Sequence, residues 1–392
     1  MDERLYKTIQ SIYYSENTIE KVKIFNGAFN HLDNIKVFLF DEKRSNISEE
    51  FKNMEVNGYQ IFGPTDYTKM WVLDSKHANE HDRVLKISKT LNFDLNILTY
   101  LNKYINNLNL NINIPEFVEY LECIKKHKFN YNMSTALMER SSTSLDEDAQ
   151  KIWGEIIESF LQFADNDFNV SQPVKIRLPE NEYKRAQEIF DSLFKLKQQS
   201  IIQYQALCCF LLKAFLIKQD KSIKNKTESL LQYSLDNLNV YLELETYLMS
   251  LYFESNKAIK KTFEKIEGYS KNTVERILNT AWDIAHVRFM ESALEIDNKN
   301  KDEIYLSYFS SRDNAFTELE RVNPIKMFVV YDHGSFSIRE KGITDICTNE
   351  VLLDKIQKEA QKRKENISRV NFAEEKQKLE TQINRNQDQK FQ

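Results

Sequence analysis

Through most of this chain apolar residues recur every three to four positions, and a few short runs of consecutive apolar or β-branched residues interrupt that spacing. The spacing predicts amphipathic helices and the runs predict strands. Asn34-Ile-Lys-Val-Phe-Leu-Phe40 is one run, followed by a turn at Phe62-Gly-Pro-Thr65. Further strands are expected at 68–74, 304–310 and 325–331, from Tyr67-Thr-Lys-Met-Trp-Val-Leu-Asp74, Glu303-Ile-Tyr-Leu-Ser-Tyr-Phe309 and Ile325-Lys-Met-Phe-Val-Val-Tyr331. Residues 80–107 have helical spacing. Pro115 suits the first turn of a helix that carries Phe117, Tyr120, Leu121 and Ile124 on one face. Ser134 is placed to cap the next helix, and Ser144 with Glu147 forms a capping-box pattern ahead of Ile152, Ile156, Ile157, Phe160 and Leu161. A long helical stretch follows from about 180 to 295, with breaks. The segment 314–322 is short and helical between two strands, so a βαβ crossover and a parallel sheet are expected there. Beyond about 350 apolar residues thin out among Lys, Glu, Gln and Asn, which predicts an exposed helix fraying into a disordered tail.

Composition narrows this to a helix-dominated α/β chain. Only 7 Gly and 5 Pro occur in 392 residues, too few for an all-β fold built on many tight turns. A hydrophobic content of 41% can fill a core, and the length favours two domains or one domain with a large insertion. A net charge of −5 gives no overall attraction to nucleic acid, so such a partner would need a local basic patch. Cys123, Cys208, Cys209 and Cys347 have neither zinc-site spacing nor a disulfide framework. The opening Met-Asp-Glu-Arg is not followed by an apolar leader, and the longest apolar run, Ala206–Ile217, is broken by Lys213. That run falls well short of the roughly 20 residues that span a bilayer. The expectation is a cytoplasmic protein with no membrane segment.

Candidate chemistry lies in acids that end strands or sit among apolar residues. Asp74 closes one apolar run and Asp313 follows another in Phe309-Ser-Ser-Arg-Asp313, where a carboxylate faces the ligand edge of an open sheet. Asp283 lies in an apolar helical segment, Ala281-Trp-Asp283-Ile-Ala-His286, where an acid needs a cap, a partner or a metal. Each also has a structural explanation: a strand-end turn for Asp74, a helix N-cap for Asp313, and a paired acid for Asp283 beside a core His286.

Asp283-Ile-Ala-His with Ala293-Leu294, and Ser311-Arg-Asp313-x-x-Phe316, resemble the helix and strand-end motifs of PIN-domain ribonucleases. Trp71-Val-Leu-Asp74-Ser75 resembles that family's opening strand, and Met133-Ser-Thr-Ala-Leu-Met-Glu139 its small-residue helix bearing a Glu. Asp41 and Asp236 compete with Asp74 for the first acid, and Asp332 could be a fifth. The resemblance implies a PIN-like parallel sheet flanked by helices, with a helical insertion at 151–275 between core halves at 66–150 and 276–345. An N-terminal region at 1–65 and a polar tail at 346–392 complete that division. It further implies that Asp74, Glu139, Asp283 and Asp313 hold Mg²⁺ or Mn²⁺ for phosphodiester hydrolysis. Ser311, Arg312 and Lys76 would contact the substrate, which would be nucleic acid, RNA above all, in an endoribonuclease of toxin or phage-defence type. The gaps before and after Asp283 exceed those of compact PIN domains, and Glu295–Asp302 would be an added loop. The alternative is a non-catalytic helical scaffold whose partner is a protein or a second copy of itself.

Overall fold

The computed structural model describes residues 3–29, 34–40, 49–77, 86–141, 147–165, 167–176, 179–299, 301–313 and 315–391. The fold is mixed α/β and rich in helix, with two sheets among these residues. The strands are β1 (Lys36–Leu39), β2 (Met54–Val56), β3 (Tyr59–Phe62), β4 (Trp71–Asp74), β5 (Ile87–Phe93), β6 (Asn130–Asn132), β7 (Ile304–Ser311), β8 (Ile325–Tyr331) and β9 (Gly334–Arg339). The chain divides into two compact units. The first comprises Met1–Asp191, Phe289–Asp313 and Pro324–Arg339; the second comprises Ser192–Arg288, Asn314–Asn323 and Glu340–Gln392.

Both sheets belong to the first unit. The four-stranded sheet runs β4-β1-β8-β9 with every neighbour antiparallel. All four residues of β1 are buried, as expected of a central strand covered on both faces. Leu5, Ile9 and Ile12, at helical spacing on Glu3–Tyr14, pack with Phe25 against Val37, Leu39, Leu73, Met327 and Val329. The five-stranded sheet runs β2-β3-β7-β5-β6, with β7-β5 and β5-β6 parallel and the other pairs antiparallel. Asn57 and Gly58, with φ of 52° and 80°, form the two-residue turn that joins β2 to β3. An Asn-Gly turn of this kind matches the twist of the strands it links.

The expected strands at 68–74, 304–310 and 325–331 therefore form, but not as one parallel sheet. β7 lies in the five-stranded sheet, whereas β4 and β8 flank β1 in the other. The helix between β7 and β8, Ala315–Val322, is no βαβ crossover; it belongs to the second unit. An apolar run identifies a strand without naming its neighbour, and β8 finds β1 from the far end of the chain. The helical reading of 80–107 is corrected as well. Residues 87–93 are β5, and only Leu95–Ile105 is helical. Ile87, Leu91 and Leu98 fall at helical separations, which conceals a strand paired on both sides.

The second unit is helical. Ala206–Leu212 with Cys208 and Cys209 is buried within the helix Glu180–Gln219, and burial pushes the Cys208 thiol up to about 11. Leu231, Leu235, Cys347, Leu352 and Ile356 form another cluster of this unit. The polar tail is ordered helix: Glu350–Lys358, Ala360–Asn366 and Phe372–Phe391. Phe372, Leu379 and Ile383 make a sparse buried stripe on the last of these. No helix among the described residues is long and apolar enough to cross a membrane.

Candidate functional site

Among the described residues, parallel neighbours end together at the carboxyl ends of β5, β6 and β7, followed by the helices Leu95–Ile105 after β5 and Ser134–Ser141 after β6. Ligand sites gather at such edges because side chains and helix N-termini converge there without blocking the strands. Asp94 stands at this edge. Its backbone N–H donates to Ser310 O at 3.0 Å, extending the β5-β7 ladder by one bond. Its Oδ1 accepts from Asn96 N at 3.3 Å, so Asp94 is the N-cap of Leu95–Ile105. Its Oδ2 accepts from Ser311 Oγ at 2.7 Å, and Ser311 Oγ in turn accepts from Asp313 N at 3.0 Å. Two acids on neighbouring strand ends are thus joined through one serine. Asp94 and Ser311 are buried, whereas Arg312 and Asp313 are exposed.

A polar stripe leads to this edge. Thr90, Asn92 and Asp94 share one face of β5 by alternation, as Ser307 and Ser311 share one face of β7, and all five are buried. Asp297 receives a bond from Ser307 Oγ at 3.0 Å; burial raises its carboxyl above the usual range, against the hydrogen bonds from Ser307 and Thr90. Asn92 Nδ2 donates to Tyr308 O at 3.1 Å, while its buried Oδ1 has no hydrogen-bond partner. On the opposite face Tyr120 shares a 2.5 Å hydrogen bond with Ser310 Oγ, and burial pushes its phenol up so that it stays neutral. Unpaired polar atoms in a core cost stability, so a buried polar stripe needs a reason beyond packing.

Glu139 belongs to the same edge by position. Asn132, the last residue of β6, accepts from Ser134 N at 2.8 Å and so starts the helix Ser134–Ser141. Thr135 Oγ1 donates to Phe93 O at 3.0 Å, which ties that helix to the end of β5. Glu139 lies one turn beyond Thr135, half-buried on the same helix face. Arg312 lies with its guanidinium 5.5 Å from the Tyr59 ring centre, a cation–π contact that orients the side chain.

Asp74 and Lys76 are elsewhere. Asp74 ends β4 in the four-stranded sheet, directly opposite Lys36, and its Oδ1 accepts from Lys76 N at 3.0 Å in a turn. Lys36 donates to the carbonyls of Asn298 (3.0 Å) and Glu303 (3.3 Å), and burial holds its ammonium below the ordinary lysine value against the pull of Asp74. Asp74 thus has a structural occupation, and Lys76 pairs with Asp302 at 3.2 Å. Asp283 belongs to the second unit, where its carboxylate takes a 2.7 Å ion pair from Lys265 and His286 is buried one turn on. Of the other acids considered, Asp236 pairs with Lys355, Asp332 sits in the β8–β9 turn, and Asp41 lies outside the described residues.

The ion pair sets a sign for Asp283. Asp283→Asn is expected to lower stability by about 1 kcal/mol, the upper range for a half-exposed pair, where an acid repelled by neighbouring acids would give a rise. Thermal melting of the two proteins side by side checks this.

Among the described residues no three His, Cys, Asp or Glu side chains converge closely enough to enclose a metal ion. The donor set at the edge is nonetheless all hard oxygen, from Asp94, Glu139, Asp313 and the unpartnered Asn92 Oδ1, which suits Mg²⁺ or Mn²⁺ rather than zinc. Asp94 carries no sequence motif of its own; the signal for it is a buried run, Thr90-Leu-Asn-Phe93, that stops at an acid able to cap a helix. Comparison of the chain with protein families, with characterised proteins and with solved structures finds no match.

Proposed function

We propose that the protein is a metal-dependent nuclease acting on RNA, with the carboxyl edge of β5, β6 and β7 as its site and Asp94 as the inner acid. The observation that carries this reading is the chain from Asp94 Oδ2 through Ser311 Oγ to Asp313 N at the ends of two parallel strands. Asp94 and Asp313, joined through Ser311, would hold the ion with water completing its shell, and Mg²⁺ or Mn²⁺ bound there would supply Lewis-acid activation of water and of the phosphoryl group. The protein's own part is positional. Ser311 fixes the Asp94 carboxylate by donating to it, and the amide of Asp313 fixes Ser311. The N-terminus of Leu95–Ile105 favours negative charge at this edge. Arg312, exposed and held over Tyr59, is placed to neutralise a phosphate. From the PIN-like resemblance this reading keeps Asp313, and it puts Asp94 in the place first given to Asp74.

The test is the purified full chain with a mixed pool of single-stranded and folded RNA, with and without Mn²⁺. Cleavage should require the ion, and Mn²⁺ should raise the melting temperature, since a ligand at a hundredfold excess over its Kd stabilises by about 2.7 kcal/mol. A second reading, a non-catalytic scaffold, is favoured by the Lys265–Asp283 pair and by the structural occupation of Asp74. Neither cleavage nor a melting shift would decide for it.

A further inference from the structure

The second unit holds a cavity of about 430 Å³ between the end of the helix Glu180–Gln219, the turn that follows it, Tyr269 and the helix Phe372–Phe391. Its lining is unusually cationic. Lys213, Lys221 and Lys390 all contribute, and among the described residues none of the three is in an ion pair. Lys213 and Lys390 lie instead over the rings of Tyr233 and Tyr269, at 5.2 and 5.3 Å. The one acid in the lining, Asp220, is engaged by Ser222, whose N–H and Oγ donate to it at 2.8 and 2.6 Å. With three lysines against one acid, the cavity is net positive, and two of its ammonium groups lie over aromatic rings.

The lining also has one fixed aromatic ring. Tyr269 is half-buried, meets Phe215 edge-on at 5.1 Å, and accepts a hydrogen bond from Asn386 Nδ2 at 3.2 Å. We infer that this cavity binds a nucleoside di- or triphosphate, the phosphates among Lys213, Lys221 and Lys390 and the nucleoside against Tyr269. The volume lies within the range of small-ligand pockets, about 300–1,000 Å³. The inference is independent of the nuclease reading, because every residue of the cavity belongs to the second unit.

Calorimetric titration of the full chain with ATP, AMP and inorganic pyrophosphate, in EDTA so that no metal site contributes, tests it. ATP should bind, AMP more weakly, and affinity should fall as salt rises. Lys213→Gln combined with Lys390→Gln should weaken ATP binding about tenfold or more for each ammonium lost, with the melting temperature unchanged. Lys221 is exposed, so Lys221→Gln gives a folded variant with the same expected direction should the double variant fail to fold. No heat of binding up to about millimolar ATP overturns the inference, as does binding that survives these substitutions. Equal affinity for pyrophosphate and ATP overturns the assignment of a nucleoside to Tyr269.

Discussion

If the protein is the nuclease proposed above, Asp94→Asn should fold as the wild type does and lose RNA cleavage by about a hundredfold or more. The asparagine Oδ1 can still accept from Asn96 N, which keeps the cap on Leu95–Ile105, while Nδ2 replaces the oxygen that faces Ser311 and can donate to Ser311 Oγ, reversing that bond. What disappears is a negative charge at the end of β5, where a divalent ion would be held. Asp94→Ala separates the two jobs, since it also removes the cap and should cost about 0.5–2 kcal/mol of stability. Asp74→Asn is the control. It should leave the cleavage rate alone and weaken the fold, because Asp74 faces the buried Lys36 ammonium. The opposite pattern, with Asp74 needed for cleavage and Asp94 dispensable, would return the site to the four-stranded sheet.

The largest single loss of stability is expected from Glu291→Ala. Arg339, the last residue of β9, donates from Nη2 to Glu291 Oε1 at 2.6 Å, and the exposures of the two side chains are 6% and 11%. Ser337 Oγ adds a 3.3 Å bond to the same oxygen. Removing the carboxylate leaves a guanidinium buried without its counter-charge, which typically costs about 3–5 kcal/mol. The double replacement Glu291→Met with Arg339→Met should recover much of that loss, because the desolvation of both charges disappears together. Urea unfolding followed by circular dichroism measures both. A Glu291→Ala loss below about 1 kcal/mol would mean that the pair is solvated.

How far the sequence led depended on how local each feature is. β1, β4, β7 and β8 are readable because each is a dense apolar run. Their partition between two sheets is not, since the pairing of β1 with β8 joins residues from opposite ends of the chain and no local spacing records it. The Asn57-Gly58 turn is the reverse case, a short-range hairpin signal present in the sequence and passed over. At the candidate site Ser311, Arg312 and Asp313 were legible as the polar end of a strand. Asp94 was hidden because Ile87, Leu91 and Leu98 fall at helical separations, so the short alternation from Thr90 to Asp94 was absorbed into a helix. Glu139 was found through its helix, whereas Asp283 drew notice for being an acid among apolar residues. Lys265, eighteen positions earlier and outside the helix that carries Asp283, is invisible as its partner until the chain is folded.

β7 sits between β3 and β5, and its residues come more than 170 positions after β6. During synthesis the five-stranded sheet therefore waits with its middle strand missing. At ribosomal speeds of about 5–20 residues per second that wait is roughly 10–35 s. Throughout it the inward edges of β3 and β5 have no native neighbour, and such edges recruit other chains. A nascent protein with this threading needs its helical second unit to emerge and begin folding while the first is held open. Yield at the bench should then respond to slower growth and lower temperature, or to a chaperone that occupies bare strand edges, more than to any change in the finished fold.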